Sequence, residues 1–361
     1  MAPRSRWPND LMLAGATALA TVAIYRHLSR SGSSPVQGQA AGPMLAETEE
    51  RGRLAHTPLQ IPAVGWKDVL LRTYQQIDED RLLATAAGVV FYGLLAMFPA
   101  ITALVSSYGL FADPSTISSN LQSLALMLPE GSFAIVQDQV ARVLAKGTST
   151  LGVTFVFGLL IAIWSANAGM KAIFDALNVV YEEKEKRGFV KLNLMSLSFT
   201  IAALVSIMLM VGAVVVVPLL LQQVGLGARA ELVIGFGRWP ILVILLLIAL
   251  AVLYRFGPSR AKPRWQWLSV GAVAAATLWL IGSALLSWYL ANFGDYDATY
   301  GSLGAAIGLM TWMWMSAIIV LCGAELNSEI EHQTAIDSTE GRGKPLGSRG
   351  ARMADTVGKA S

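Results

Sequence analysis

The chain has 361 residues, of which 54% are hydrophobic and 14% charged, and its formal net charge is +3. Soluble proteins carry about a quarter charged residues, so this balance excludes an ordinary water-soluble globule and points to lipid. The one cysteine, Cys322, excludes an internal disulfide and a multi-cysteine metal site, and His27, His56 and His332 all lie outside the long apolar runs, which excludes a histidine-based metal centre within the membrane.

Residues 1–30 hold a short apolar run, Leu11 to Ile24, between Arg4/Arg6 and Arg26/Arg30, with Trp7 and Tyr25 placed as interfacial anchors. As a helix, Trp7 to Tyr25 extends about 28 Å, so the segment reads as an N-terminal membrane helix that spans the bilayer or lies on it. Ala18-Leu19-Ala20 offers a rival signal-peptide reading, but the apolar stretch before it, Leu11 to Thr17, is at the short limit for one. Residues 31–61 are rich in Gly, Ser, Pro, Gln and Glu and read as a flexible linker. Residues 62–80 predict an amphipathic helix. Val64, Trp66, Val69, Leu70, Tyr74 and Ile77 form its apolar stripe, with Lys67, Asp68, Arg72 and Gln75 elsewhere. Such a helix lies on the membrane surface or packs beneath the bundle.

Six long apolar runs follow. The first covers about Leu82 to Leu110, entered by Asp80 and Arg81 and interrupted by Pro99, which lacks an amide donor and predicts a kink. Residues 112–148 form the longest loop, in which Phe133 to Leu144 has the spacing of a short helix. The second span, about Leu151 to Met170, ends in Ser165, Asn167 and Gly169. It runs on as a polar helix through Asn178 and Tyr181 into the charged stretch Glu182 to Lys191. The third covers about Leu192 to Leu221, with Pro218 as a second kink near its exit. The fourth, about Ile241 to Tyr254, is short, and starting at Phe236 would carry it across Arg238 and Pro240. The fifth, about Trp265 to Leu290, is belted by Trp265, Trp267, Trp288 and Tyr289.

The sixth run carries no charge from Ser302 to Gly323, about 33 Å of helix, enough to cross a hydrocarbon core of about 30 Å. Tyr300 stands at its entry. Gly304 and Gly308 have the small-xxx-small spacing that lets another backbone approach, Trp312 and Trp314 fall mid-span in a packing role, and Glu325 and Asn327 arrive as the apolar run ends. Residues 332–361 are polar and read as a disordered cytoplasmic tail. The fold class is therefore all-α: a polytopic membrane protein of six core transmembrane helices in a domain covering 62–331.

Charge sets the expected orientation, because Lys and Arg in short loops stay in the cytoplasm. Arg51, Arg53, Lys67, Arg72 and Arg81 precede the first long span. Lys171, Lys184, Lys186, Arg187 and Lys191 separate the second from the third, Arg255, Arg260, Lys262 and Arg264 the fourth from the fifth, and Arg342, Lys344, Arg349, Arg352 and Lys359 follow the sixth. The alternate loops hold few basic residues. Six spans with both flanks inside satisfy this pattern.

Four blocks carry a resemblance: Asp80 with AAGVVFYGLLAMFPA at 86–100, ALNVVYEE at 176–183, YRFGPSRAKPRWQW at 254–267, and YGSLGAAIGLMTWMWMSAIIVLCGAELNSE at 300–329. Over about residues 64–331 the chain resembles the YihY/BrkB family of bacterial inner-membrane proteins. The resemblance implies a six-helix inner-membrane protein and brings no settled activity. That family has carried the label ribonuclease BN, a historical misassignment, and its members are linked to serum resistance as virulence factors.

The residues argue against the nuclease label. No two acidic residues lie inside the apolar runs, and the sequence has no histidine cluster, phosphate loop or zinc spacing. No catalytic residue, metal ligand or cofactor site is assigned, and the basic loops are explained by orientation rather than by nucleic acid. The partners expected are the bilayer and a lipid or small-molecule substrate. The candidate residues are the polar ones at span edges: Asp80, Asn167, Asn178, Tyr300, Glu325 and Asn327. Each is weighed against a cap, an interhelical hydrogen bond or interfacial solvation. Asn167, Glu325 and Asn327 are expected to meet at the cytoplasmic end, with Asn167 donating to a partly desolvated Glu325. The leading function is transport, export or lipid translocation through a polar cavity. A non-enzymatic envelope scaffold is the alternative, and a membrane-associated ribonuclease a distant third.

Overall fold

The computed structural model describes residues 50–109, 148–211, 228–293 and 304–360. The membrane helix expected at the N-terminus, the helix expected at 133–144, Pro218 and Tyr300 lie outside the described residues. The elements are α1 (Ala63–Glu79), α2 (Leu82–Gly109), α3 (Thr148–Val180), α4 (Phe189–Val211), α5 (Ala228–Phe256), α6 (Trp265–Phe293), α7 (Gly304–His332) and the single turn α8 (Arg352–Asp355), with a 3-10 turn at Pro58–Gln60 before α1. The only β pairing among the described residues is an isolated bridge between Pro263 and Thr339.

Among the described residues, four helical stretches are long and apolar enough to cross a membrane: Val156–Val180, Phe189–Ser206, Trp265–Leu290 and Ala306–His332. Shorter apolar stretches run from Leu82 to Ala96 and from Pro240 to Phe256. Their outward side chains are bare: Phe91, Phe157, Trp164, Ile244 and Leu285 are all exposed, which water would penalise and lipid tails would not. The chain is an all-α polytopic membrane protein. α2 continues as helix through Pro99, and α5 runs through Pro240 and exceeds even the longer sequence reading from Phe236, beginning at Ala228. A membrane helix tolerates the missing donor where neighbouring helices and side chains re-satisfy the freed carbonyl.

α7 is the hub, packing against α6, α2, α1, α3 and α8. The core it shares combines Leu82 and Ala86 of α2, Ala176, Leu177 and Val180 of α3, Leu250 and Tyr254 of α5, and Leu268, Ala272, Ala275 and Ala276 of α6 with its own Leu321 and Ala324. The alanines let α6 and α7 run close. Their nearest approach is at Gly271 and Gly323, where a Cβ on Gly323 would sit 2.6 Å from the Tyr254 hydroxyl and 2.7 Å from Ala275 Cβ. Gly308 is different: its Cβ would meet Leu290 at 3.6 Å, an ordinary contact. The tightest backbone crossing therefore lies nearer the helix end than the Gly304/Gly308 spacing suggested. The mid-span tryptophans do pack between helices. Trp314 donates to the Leu83 carbonyl at 2.9 Å and Trp312 to Ser283 Oγ at 3.2 Å, while Trp279 donates to Ser316 Oγ at 2.9 Å.

The segment expected to be a disordered tail is instead folded over the helix ends. Thr334 donates to the Ala55 carbonyl at 2.8 Å, Ala335 N–H to the Arg53 carbonyl at 2.8 Å, Arg264 N–H to the Ser338 carbonyl at 2.9 Å, and Gly358 N–H to the His332 carbonyl at 2.8 Å. Met353 and Ala354 are buried. Polar, glycine-rich composition signals disorder only when the polar groups are left to water. Here they find backbone and arginine partners on residues 50–61, which are ordered by the same contacts.

Candidate functional site

Two of the long helices overshoot the bilayer. α3 has 33 residues and α7 has 29, roughly 50 and 44 Å of helix against a core of about 30 Å. Their C-terminal turns therefore emerge side by side, and Ser328 Oγ donates across to the Val180 carbonyl at 3.0 Å. Onto this platform come α1, the α3–α4 connection, the α5–α6 connection and the chain after α7. The four basic segments picked out by charge thus meet at one end of the molecule.

They meet as ion pairs. Arg260 grips Glu331 with two hydrogen bonds of 2.7 and 3.0 Å, both side chains fully buried, its guanidinium 4.0 Å above the Tyr181 ring. Arg72 pairs with Glu329 and reaches Gln333 Oε1 at 2.8 Å and the Lys359 carbonyl at 3.0 Å. Arg51 pairs with Asp68 at 2.8 Å, Arg255 with Glu340, and Arg352 with Glu182. These pairings divide the apolar stripe expected of α1. Its buried residues are Gly65, Asp68, Val69 and Arg72, while Val64, Leu70 and Tyr74 face outward. Asp68 and Arg72 turn inward because their charged partners lie there; Val69 is buried with them, Trp66 and Ile77 are half-buried against the core, and Val64, Leu70 and Tyr74 are left exposed.

The candidate residues sort into two kinds. Asn178 accepts from Ser259 N–H at 2.7 Å and donates to Glu185 at 3.1 Å; Asn327 accepts from Gly271 N–H at 2.8 Å and donates to the Leu268 carbonyl at 3.2 Å. Both asparagines tie neighbouring segments together, and both are buried. Burial opposes ionisation of Glu185, but hydrogen bonds from the Arg187 side chain and backbone and from Asn178 outweigh it and hold the carboxyl down at about 2.

Asp80, Asn167 and Glu325 are the other kind. Asp80 Oδ2, Asn167 Oδ1 and both carboxylate oxygens of Glu325 are buried with no hydrogen-bond partner among the described residues. The bond expected from Asn167 to Glu325 is therefore not made, and helix register explains why. Val180 and Ser328 are level. Asn167 is roughly 20 Å deeper than Val180, and Glu325 only roughly 4.5 Å deeper than Ser328, at 1.5 Å per residue. Glu325 sits one turn inside the charged end and is completely buried.

Asp80 caps the corner between α1 and α2, just outside the spans. Burial, reinforced by the charges of Glu182, Glu79 and Glu329, pushes its carboxyl up to about 6. A folded-state value above the unfolded one contributes stability that is complete below about 3.8 and is lost as pH rises through about 6. Asp80→Asn should therefore melt with the native protein at acidic pH and above it at pH beyond about 7, as read from thermal melts in detergent across pH. Parallel melting curves at every pH would contradict this.

Arg72, Glu329, Arg260 and Glu331 were not legible as a site from sequence. The one available signal was the run Glu325-Leu326-Asn327-Ser328-Glu329-Ile330-Glu331, three acids in one continuous helix where a solvated end needs none. Their partners lie up to 257 residues away in the chain.

The family described as "Virulence factor BrkB" matches residues 73–345. The chain belongs to this family. The matched stretch contains Asp80, Asn178, Arg260, Glu325 and Asn327, while Asp68, Arg72 and residues 346–360 fall outside it. The chain is 30% identical to the ribonuclease-like protein YfkH of Bacillus subtilis (strain 168), over 67% of this chain and 88% of that one. It is 27% identical to the UPF0761 membrane protein NMB0524 of Neisseria meningitidis serogroup B, over 72% of this chain and 62% of that one. It is also 27% identical to the UPF0761 membrane protein VFMJ11_0098 of Aliivibrio fischeri, over 74% and 84%. This BrkB-family chain thus spans most of the Bacillus and Aliivibrio proteins but less than two thirds of the Neisseria one. No solved structure matches it.

Proposed function

We propose that this BrkB-family chain is a transporter, exporter or lipid translocator of the bacterial inner membrane, without catalytic chemistry of its own. The observation that carries the reading is Glu325: a carboxylate in the hub helix, fully buried, with neither oxygen bonded. A structural acid would be paired, as Glu329 and Glu331 are further along the same helix. An unpaired one in a membrane helix marks a path for a substrate or an ion. The four basic segments gathered at one end support a cytoplasmic location for that end and for the C-terminus.

A metal-dependent nuclease needs acids or histidines grouped around its ion. Among the described residues no three His, Cys, Asp or Glu side chains form such a group, so the ribonuclease-like name of the Bacillus relative is not carried over, and nucleic acid is not a proposed partner. A scaffold role has one observation in its favour, the dense bonding of residues 333–360 across the helix ends.

The deciding experiment is flux into liposomes holding purified protein, with a panel of labelled lipids, ions and small solutes. Uptake well above protein-free liposomes, lost in Glu325→Gln while the melting profile is kept, is the expected result. Background flux for the whole panel in both proteins would leave the scaffold.

A further inference from the structure

Among the described residues, the arginines gathered at this end of the bundle are engaged elsewhere than on Glu325. Arg72 is taken by Glu329 and Gln333, Arg260 by Glu331, and Arg352 by Glu182. The groups brought to Glu325 by its neighbours are otherwise acidic or neutral. The α1–α2 corner supplies Asp80, the end of α3 supplies Tyr181 and Glu182, and α7 itself supplies Cys322 and Glu329. α5 supplies Tyr254, whose hydroxyl is spent on the Val320 carbonyl at 2.8 Å, and α6 supplies apolar side chains to the same core. Among the described residues no donor reaches either oxygen of Glu325, which is completely buried. An ionised carboxylate in such a place is strongly unfavourable, and its charge has to be cancelled by something the protein does not provide.

We propose that Glu325 is a proton-binding site, exchanging its proton with the charged end of the protein by way of Asp80. The balance is simple. Asp80 takes a proton from water at the helix ends and passes it to the Glu325 carboxylate, leaving Asp80 to be reprotonated; the reverse sequence releases it. Asp80 is suited to the relay because it stands at the α1–α2 corner, partly exposed, with one oxygen buried and unbonded. The assignment deepens the transport reading, since a proton taken up and released one turn inside the membrane is how such a protein would couple its cargo to the proton gradient. The chemistry of the site is independent of the cargo.

The test is infrared difference spectroscopy of the full-length protein in lipid nanodiscs, in choline buffer across pH, then with sodium or potassium added. At neutral pH the native protein should show a carboxylic-acid C=O band that is missing in Glu325→Gln. Identical spectra for the two would overturn the proposal. So would a native band that sodium or potassium converts to carboxylate, which would make the ligand an alkali ion. If Glu325→Gln fails to assemble, Asp80→Asn still decides. Deuterium exchange of the Glu325 band should slow by about tenfold or more, as for loss of a positioned acid–base group, and unchanged exchange would refute the relay. A band without flux keeps the proton site and removes the transport reading; flux without a band does the opposite.

Discussion

Arg260→Ala should cost about 3–5 kcal/mol of stability, the range for stripping one partner from a buried ion pair. The pair is bidentate, at 2.7 and 3.0 Å, and both side chains are inaccessible to solvent. With Arg260 gone, Glu331 keeps only the Ser338 hydroxyl, at 2.9 Å, to balance a buried charge. Tyr181 loses the guanidinium that sits 4.0 Å over its ring. Arg260 also fastens the α5–α6 connection to the end of α7, so its loss loosens two segments together. A drop of roughly ten degrees in melting temperature is expected in detergent. Arg260→Lys should recover little, because an ammonium cannot make the two-pronged bond or the flat stacking contact. Arg260→Met combined with Glu331→Leu should recover most of the loss, since it removes both charges from the apolar surroundings. An Arg260→Ala protein that melts with the native one would mean that this pair is open to water.

The architecture was legible because it follows from two one-dimensional signals. Uncharged runs near 20 residues marked the spans, and the basic segments between them marked a common side; the fold places those segments together. The limits of the same signals are visible in particular residues. Composition assigned residues 332–361 to disorder, since it cannot register that Thr334 and Ala335 would meet the carbonyls of Ala55 and Arg53 almost 280 positions earlier. Periodicity left the apolar stripe of α1 either on the membrane surface or against the bundle, since it weighs Arg72 as a polar residue and not as the partner of Glu329. Asn178 and Asn327 were recognisable as span-edge polar groups; Asn178 binds the two neighbouring connections and Asn327 binds α6.

Glu325 was picked out as a polar residue where an uncharged run ends, but the donor suggested for it failed on register. Two helices can share an end and still carry their polar groups at different depths. Sequence gives the order of residues along each helix and not the relative height of neighbouring helices, and only the Ser328–Val180 bond fixes that height here.

Relative height and distance also decide between the two glycine sites. Gly271→Ala should destabilise the protein by about 3–5 kcal/mol, combining overpacking with the loss of buried hydrogen bonds. The added Cβ would overlap the Gly323 carbonyl oxygen and lie 2.5 Å from Cγ and Nδ2 of Asn327. A carbonyl oxygen in the middle of a helix cannot rotate aside, so α6 and α7 have to separate. Separation breaks the bonds that Asn327 makes to Gly271 N–H and the Leu268 carbonyl, and leaves its amide unsatisfied in the core. Gly323→Ala should act in the same direction through the facing surface, against the Tyr254 hydroxyl and Ala275. Gly308→Ala should do the opposite. Its Cβ only touches Leu290 at 3.6 Å, and replacing a helical glycine by alanine gains about 0.5–1 kcal/mol from the backbone. Melting curves of the three variants in one detergent, each beside the native protein, test the sign as well as the size. A Gly271→Ala protein as stable as the native one, or a Gly308→Ala protein that is clearly less stable, would place the closest contact of these helices at Gly304 and Gly308 after all.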